Sequence, residues 1–390
     1  MAANKLVQNK LHREFVKLLT YVKNVISYFL FICVHRFLTS ENREKSKNIL
    51  IVNTGQIGDL LLFTVLMENY EQSSSSFGLF VLIKEEYKTV FEGYHGKVKL
   101  IFFNYNKYRF SPIYRIKFLN TLRRINFSIA ANVTTARGPI NDELTLLSGA
   151  VTTKCFQYNS EYLTRALTNH YNKLYSEIIE FSRMLEIDRY LSIYQTLFGN
   201  CNSRQTRLHV DSKSIESLHE KLTRKGISKN SLIVIAPFTD LKIKNWGSNN
   251  YIKLLEKLTS YWEKQIILIG TKKQKRDIAK LALGFNSRVH SLAGELSLPE
   301  TFALIKISEL FIGNDSGLTH AAKALGKNYV AITGGGSYNL FFPYNEQAHQ
   351  IELHEWCDFF GCEWRCKFSI PKCLTDITAE QVFEAIKKKI

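Results

Sequence analysis

Proline is scarce, with 6 in 390 residues, and glycine reaches only 20, which excludes collagen-like and low-complexity architectures. Cysteine is sparse and odd in number at 7, and the basic start shows no compact apolar stretch followed by a small-residue cleavage site. A secreted domain held by disulfides is therefore not expected, and a cytosolic chain with mostly reduced thiols is. No fixed-period repeat is visible. The most apolar run near the start, VISYFLFICV over Val25–Val34, spans about 15 Å as a helix, half a hydrocarbon core. Lys17 and Lys23 interrupt its extension upstream. Acidic residues are also in deficit: 35 Asp+Glu against 52 Lys+Arg leave a formal charge of +17. That field favours anionic partners. Nucleic acid is not expected among them, because no binding motif is present and the aromatics are not interleaved with basic clusters.

What is present is an ordinary globular composition, 45% hydrophobic and 22% charged, with 26 Phe, 19 Tyr and 4 Trp to fill two cores. From residue 48 onward short apolar runs alternate with amphipathic stretches. NILIVN (48–53), LFVLI (79–83), VKLIFF (98–103) and FSIAANV (127–133) predict buried strands, and LIVIA (232–236), QIILI (265–269), LFI (310–312) and NYVAI (328–332) predict a second set. Alternation of this kind predicts α/β architecture with parallel sheets covered on both faces. The polar stretch GNCNSRQTR (199–207) reads as a linker. The expected domains are 48–205, 206–375 and a terminal helix at 376–390, preceded by a basic amphipathic extension over 1–47.

That extension holds nine Lys/Arg and three Glu. Phe15, Leu18, Leu19, Val22, Val25, Ile26 and Phe29 recur at helical spacing. One reading is an in-plane helix on an anionic membrane surface, with Lys5, Lys10, Arg13, Arg36 and Arg43 near phosphates. The other is a helix packed on the body of the protein or on a second subunit.

Three segments carry chemistry. IVNTGQIGD (51–59) runs from a strand through a loop with Gly55 and Gly58 to Asp59 at a helix start, where the acid either stabilises the positive helix end or serves in catalysis. It lacks the dinucleotide GxGxxG spacing. IAPFTDLKIKNW (235–246) places Thr239, Lys242 and Lys244 after a strand, where anions dock in such sheets. IGNDSGLTHAAKALG (312–326) offers Asp315, Ser316 and Gly317 at a helix start, with His320 one turn in, an arrangement suited to phosphate. Gly334–Gly336 end the next strand.

With these residues in view the chain resembles glycosyltransferase family 9, the lipopolysaccharide heptosyltransferase family. GNDSGLTHAAKALGK is similar to the family's D-[ST]-G-x-x-H donor signature, IVNTGQIGD to its N-terminal strand-loop, TDLKIKNW to its loop ending in Lys-x-Trp, and LAGELSL (292–298) to the segment upstream of the donor signature. The resemblance implies a GT-B fold, two Rossmann-like domains facing each other across a cleft. It implies an inverting transferase with no metal and no bound cofactor, using a nucleotide-sugar co-substrate, with ADP-heptose the candidate donor. The acceptor would be a lipid-linked saccharide, at an anionic membrane surface on the inner face of the bacterial inner membrane. Asp59 would be the general base and Lys244 would neutralise the leaving diphosphate. Thr239, Asp315, Ser316, Gly317 and His320 would hold the donor, and Gly55 and Gly58 would shape the acceptor-side loop. A hexose donor, or a non-catalytic sugar-nucleotide-binding partner of a transferase, are the alternatives.

The chain departs from the family pattern at Asn132, where Asp is common, at Gly270-Thr271-Lys272, where a Glu often contacts the nucleoside, and at Asn53. Cys357, Cys362, Cys366 and Cys373 fall at C-x4-C-x3-C-x6-C, open to a zinc site, one or two disulfides, or packed free thiols. In the resembling fold the terminal helix, with Thr378 as cap and Val382, Phe383 and Ile386 on one face, returns to the first domain.

Overall fold

Asn48–Val52 has four apolar residues in a row, so neither face of that strand can be turned to water. The fold meets this demand by setting it inside a fully parallel sheet. The computed structural model describes residues 46–134, 137–157, 165–180, 185–285, 288–345 and 350–388, together with Val22, Val25, Ile26, Tyr28, Phe29, Phe31 and Ile32. In chain order the elements are β1 (Asn48–Val52), α1 (Ile57–Gln72), β2 (Gly78–Lys84), β3 (Lys99–Phe103), α2 (Tyr105–Phe110), α3 (Pro112–Arg124), β4 (Ile129–Asn132), α4 (Pro139–Leu146), β5 (Thr152–Phe156), α5 (Arg165–Leu174), β6 (Glu177–Ile179) and α6 (Glu186–Phe198). There follow α7 (Ser212–Arg224), β7 (Leu232–Ala236), α8 (Ser248–Tyr261), β8 (Gln265–Leu268), α9 (Lys275–Ala282), β9 (Val289–Ser291), α10 (Leu298–Ile307), β10 (Leu310–Asn314), α11 (Gly317–Ala324), β11 (Tyr329–Ile332), β12 (Gln350–Leu353), α12 (Lys372–Thr375) and α13 (Ala379–Lys387).

The strands form two six-stranded sheets, ordered β3-β2-β1-β4-β5-β6 and β12-β11-β10-β7-β8-β9, every pairing parallel. β1 to β4, β7, β8, β10 and β11 fall on the apolar runs predicted from sequence. β5, β6, β9 and β12 were not predicted. They read TTKCF, EII, VHS and QIEL, and β6, β9 and β12 are edge strands that need no continuous apolar run.

The chain divides into two compact units. The first comprises the chain up to Gly55, Tyr70–Lys88 and Gly96–Ser182; the second comprises Gln56–Asn69, Thr89–His95 and the chain from Arg183. The division is thus not a single cut near residue 205. Most of α1 belongs with the second unit because Phe63 packs edge-on to Tyr190, centroids 5.3 Å apart, and Asn69 Oδ1 accepts from the backbone of Asn202 and Ser203.

In the first unit Leu50, Val52, Phe80, Leu82 and Phe103 on one sheet face are covered by Tyr108, Leu119, Leu122, Leu144 and Tyr171. Phe31 joins them, 4% exposed, its ring edge-on to Tyr171 at 5.5 Å. One face of the N-terminal helix is therefore part of this core, as the packing reading of that segment expects. Lys5, Lys10, Arg13, Arg36 and Arg43 lie outside the described residues. Beneath β4, Arg137 Nε donates to Asp142 Oδ1 at 2.6 Å, Tyr175 Oη donates to the same oxygen at 2.8 Å, and Asn132 Nδ2 donates at 3.3 Å. A second carboxylate at position 132 would face Asp142 away from water, and like charges there cannot both ionise. The amide donates where an Asp would repel.

The terminal helix packs within the second unit. Val382, Phe383 and Ile386 pack with Tyr251, Leu254, Leu255 and Leu258 of α8 in the core of the second unit, and Phe383 lies edge-on to Tyr261 at 5.5 Å. Trp246, buried, donates its indole N–H to Ile377 O at 2.7 Å, which fixes the start of the helix there. The Thr378 capping box with Gln381 closes its first turn.

Candidate active site

The end of β10 carries Asn314, Asp315 and Ser316 into α11, and Gly317 opens that helix. Asn314 spans to the neighbouring strand: its Nδ2 donates to Pro237 O at 2.8 Å and its Oδ1 accepts from Trp246 N–H at 3.1 Å. The loop after β7 is thereby tied to the loop after β10. Lys244, in a short 3-10 turn at Lys242–Lys244, extends from the first to the second and donates from Nζ to Asp315 Oδ2 at 2.9 Å.

Asp315 is only 4% exposed. Burial pushes its carboxyl upward, but the Lys244 ammonium, the Ser337 hydroxyl and the field of His320 outweigh that and hold it below the ordinary range. Lys244 Nζ also donates to Ser337 Oγ at 3.4 Å, and Trp364 Nε1 donates to the same oxygen at 2.6 Å. The ammonium stands 5.1 Å from the Trp364 ring centroid. Trp364 and Phe360 lie against the Gly334–Gly336 loop so closely that a Cβ at any of the three glycines would come within about 2.5 Å of a ring carbon. The glycines are there for the rings.

Ser316 caps α11 through its backbone and makes no side-chain capping bond. A Cβ on Gly317 would stand 2.4 Å from Ile57 Cγ2, and one on Gly58 would stand 3.2 Å from His320 Cδ2, so the start of α1 and the start of α11 meet through two glycines. His320 is buried, stacked on Phe342 at 4.4 Å, with Nδ1 3.2 Å from Tyr344 Oη. Burial drives its pKa down to about 3, with Lys244 and Lys323 acting in the same direction and Asp315 opposing. It is a neutral imidazole at any physiological pH.

Asp59 sits in the first turn of α1 and accepts the Gln56 backbone N–H at 2.8 Å through Oδ2. The Glu186–Arg189 ion pair lies within its field. Thr239 is turned to the loop itself: its hydroxyl donates to Leu241 O at 2.8 Å and its N–H donates to Asn245 Oδ1. In the first unit Gly55 N–H donates to Asn53 Oδ1 at 3.0 Å, and Thr54 donates from Oγ1 to Asn141 at 2.6 Å.

The structure therefore brings together Lys244, Asp315 and Ser337 in one group, and Gly58, Gly317 and His320 in another. Ser337, Asn314 and Trp364 escaped the sequence reading. Ser337 had a signal in the glycines before it; Trp364 had none, being placed in a cysteine-rich tail. The six described cysteines are free thiols. Burial pushes the Cys373 thiol up, and Cys357, Cys362 and Cys366 are near enough to push it further. Among the described residues no group of His, Cys, Asp or Glu is placed to hold a metal ion.

Comparison with known proteins places the chain. The chain is 23% identical over 185 residues to lipopolysaccharide heptosyltransferase 3 of Escherichia coli, covering 46% of this chain and 54% of that protein. It thus spans about half the length of that curated relative. Its structure is similar to a glycosyltransferase family 9 protein from Veillonella parvula, with a TM-score of 0.69 at 18% identity over 89% of this chain and 98% of that one. It is likewise similar to E. coli ADP-heptose LPS heptosyltransferase II, with a TM-score of 0.67 at 18% identity over 87% and 98% of the two chains. These likenesses establish the GT-B fold. The family profile for glycosyltransferase family 9 (heptosyltransferase) matches residues 152–359, a stretch that holds Thr239, Lys244, Asp315, Ser316, Gly317 and His320 and begins after Gly55, Gly58 and Asp59. The chain belongs to glycosyltransferase family 9.

Proposed function

We propose that this chain is an inverting, metal-independent glycosyltransferase that moves a sugar, with heptose the first candidate, from a nucleotide-sugar to a lipid-linked saccharide in lipopolysaccharide or surface-polysaccharide assembly. The observation that carries the reading is the Lys244–Asp315 pair at the start of α11. A departing diphosphate needs fixed cations and N–H donors where its charge develops. Lys244 supplies the cation, and Ser316 and Gly317 supply a helix start whose N–H groups no capping side chain takes. Asp315 holds the ammonium in place before the donor arrives. His320, neutral and stacked, shapes the wall behind α11 through Phe342 and Tyr344. Asp59 is the general base in this reading, and Gly55 and Gly58 leave room for the acceptor. The partners are the nucleotide-sugar, the lipid-linked saccharide and the anionic inner face of the bacterial inner membrane, where the enzyme is peripheral. No helix among the described residues is long and apolar enough to cross a membrane.

ADP-heptose offered with a lipid-linked saccharide acceptor and EDTA tests the proposal. Transfer, with thermal stabilisation by ADP-heptose alone, is the expected result. Absence of stabilisation by any nucleotide-sugar would overturn it. The end of β8 bears on the nucleoside. There Thr271 caps the turn at Lys272–Gln274, and its backbone N–H donates to Gln274 Oε1 at 2.9 Å. A Lys side chain has no acceptor for ribose hydroxyls, so nucleoside recognition here uses other groups.

A further inference from the structure

Between Gly96 and Asn141 the chain has nine Lys or Arg residues and no Asp or Glu. Two of the nine, Arg115 and Arg137, are buried and matched with Glu143 and Asp142. The others include Lys107, Lys117 and Arg124, all exposed, and Arg109, half-buried, on the α2–α3 pair of the first unit. At the corner between those helices stand Phe110, 72% exposed, and Ile113, 68% exposed.

The corner is firmly built. Asn104 caps α2 by accepting Lys107 N–H, and Ser111 both ends α2 and caps α3 by accepting Tyr114 N–H. Pro112 fits the first turn of α3. On its inner side Tyr108 Oη donates to Glu143 Oε1 at 2.9 Å, and Arg115 Nε lies 2.8 Å from the same oxygen. Tyr114 stacks on Phe118 at 6.0 Å. With its inner face committed to the core, the corner holds two large apolar tips outward at a fixed place. Arg109 lies over the Phe110 ring at 5.0 Å, so the cation travels with the tip. Along α3 the exposed positions Ile113, Lys117, Thr121 and Arg124 follow one helical stripe.

The N-terminal helix adds to the same side of the sheet. Its Phe31 and Tyr28 enter the core that α2 and α3 also cover, whereas Val22, Val25, Ile26 and Phe29, at helical spacing, are exposed. Apolar tips with Arg109 over one of them, on a chain stretch that carries no acid of its own although Glu85 accepts from Asn104 at the cap of α2, complement a surface that is anionic outside and hydrocarbon within.

We infer that the α2–α3 corner, through Phe110 and Ile113 with Lys107, Arg109, Lys117 and Arg124, is a bilayer-docking surface of the first unit for anionic lipid. The apolar tips enter the acyl boundary, and the cations stay at headgroup level. This inference rests on the proposed lipid-linked acceptor for its biological sense, but the surface makes its own prediction.

The full chain is sedimented with vesicles of phosphatidylethanolamine and phosphatidylglycerol, and with vesicles of phosphatidylcholine alone. Anionic vesicles are expected to bind it and salt to weaken the binding. Phe110→Ser with Ile113→Ser, and separately Lys107→Glu with Lys117→Glu, should each lower the partition coefficient at least about fivefold. Both variants should keep the parental thermal shift with ADP-heptose, which reads the donor site and not this surface. Unchanged partitioning in both variants overturns the inference. So does a concentration-dependent dimer that Phe110→Ser with Ile113→Ser abolishes while vesicle binding persists, for then the corner meets a second copy. Loss of the thermal shift in the parent would count against the proposed donor and leave the vesicle result standing.

Discussion

Trp364 donates its indole N–H to the Ser337 hydroxyl at 2.6 Å, and Lys244 donates to that same hydroxyl from the other side at 3.4 Å. A residue of the cysteine-rich tail thus shares a hydroxyl with the cation that the proposed reaction needs. Three loops meet at this point: the one after β7, the one after β11 and the tail.

Trp364→Phe keeps the ring over Lys244 and removes the N–H. One hydrogen bond to a group that touches an ion is worth about 1 kcal/mol, so donor affinity should fall about fivefold. Lys244→Ala should cost more, at least about thirtyfold in kcat/KM, and should also lower the melting temperature because Asp315 loses its counter-charge in a buried setting. Calorimetry with the donor and steady-state kinetics measure both. Equal donor affinity in Trp364→Phe and the parent would refute the positioning role.

Asp59→Asn separates the two readings of that residue. The Asn side-chain oxygen can still accept Gln56 N–H, so the helix start survives, but it cannot take a proton. If Asp59 is the general base, turnover should fall at least about a hundredfold with donor binding unchanged. Near-normal turnover would leave it a helix cap and nothing more.

His320 predicts a pH dependence of stability. Its pKa falls from 6.5 in the unfolded chain to about 3 in the folded one, chiefly through burial. Between those values the unfolded state binds more protons, so this stabilisation is complete above about 6.5 and is lost as pH falls toward 3. The slope is at most about 1.4 kcal/mol per pH unit. Glu143 works oppositely: burial raises it to about 7, so its contribution diminishes as pH rises from 4.5 through 7. The clean readout is therefore the difference between His320→Gln and the parent in thermal melts from pH 7 to pH 4.5. A difference that does not vary with pH would refute the assignment.

Phe31→Ala should lower stability by about 3 kcal/mol, since the ring is buried against Tyr171 and the substitution leaves a cavity. Removal of the chain before Ser46 carries the same loss, so weakened vesicle binding in such a truncation must be read beside a melting curve. A Phe31→Ala melt like the parent's would show the ring to be dispensable.

How much of this was legible beforehand follows from how local each signal is. ILIV at 49–52 and LIVIA at 232–236 announce central strands because any strand buried on both faces must be apolar throughout. Asp315-Ser316-Gly317 announces a helix start because short polar and glycine residues there free the first N–H groups. β6 and β9 were silent because an edge strand of three residues needs no such run. The pairing of Lys244 with Asp315 joins residues 71 apart, and that of Trp364 with Ser337 joins residues 27 apart. No periodicity or spacing encodes which distant loop will fill a gap.

The sequence by itself determined the α/β class, the central strands, the family and most of the residues at the ends of β7 and β10, because each rests on a local pattern of burial or backbone freedom. Tertiary structure alone decided the rest. It joined most of α1 to the second unit, held α13 against α8, buried His320 as a neutral imidazole stacked on Phe342, and set Trp364 over Lys244. Those outcomes depend on which surfaces bury one another best when the whole chain is packed, a sum over many distant contacts that no single segment contains.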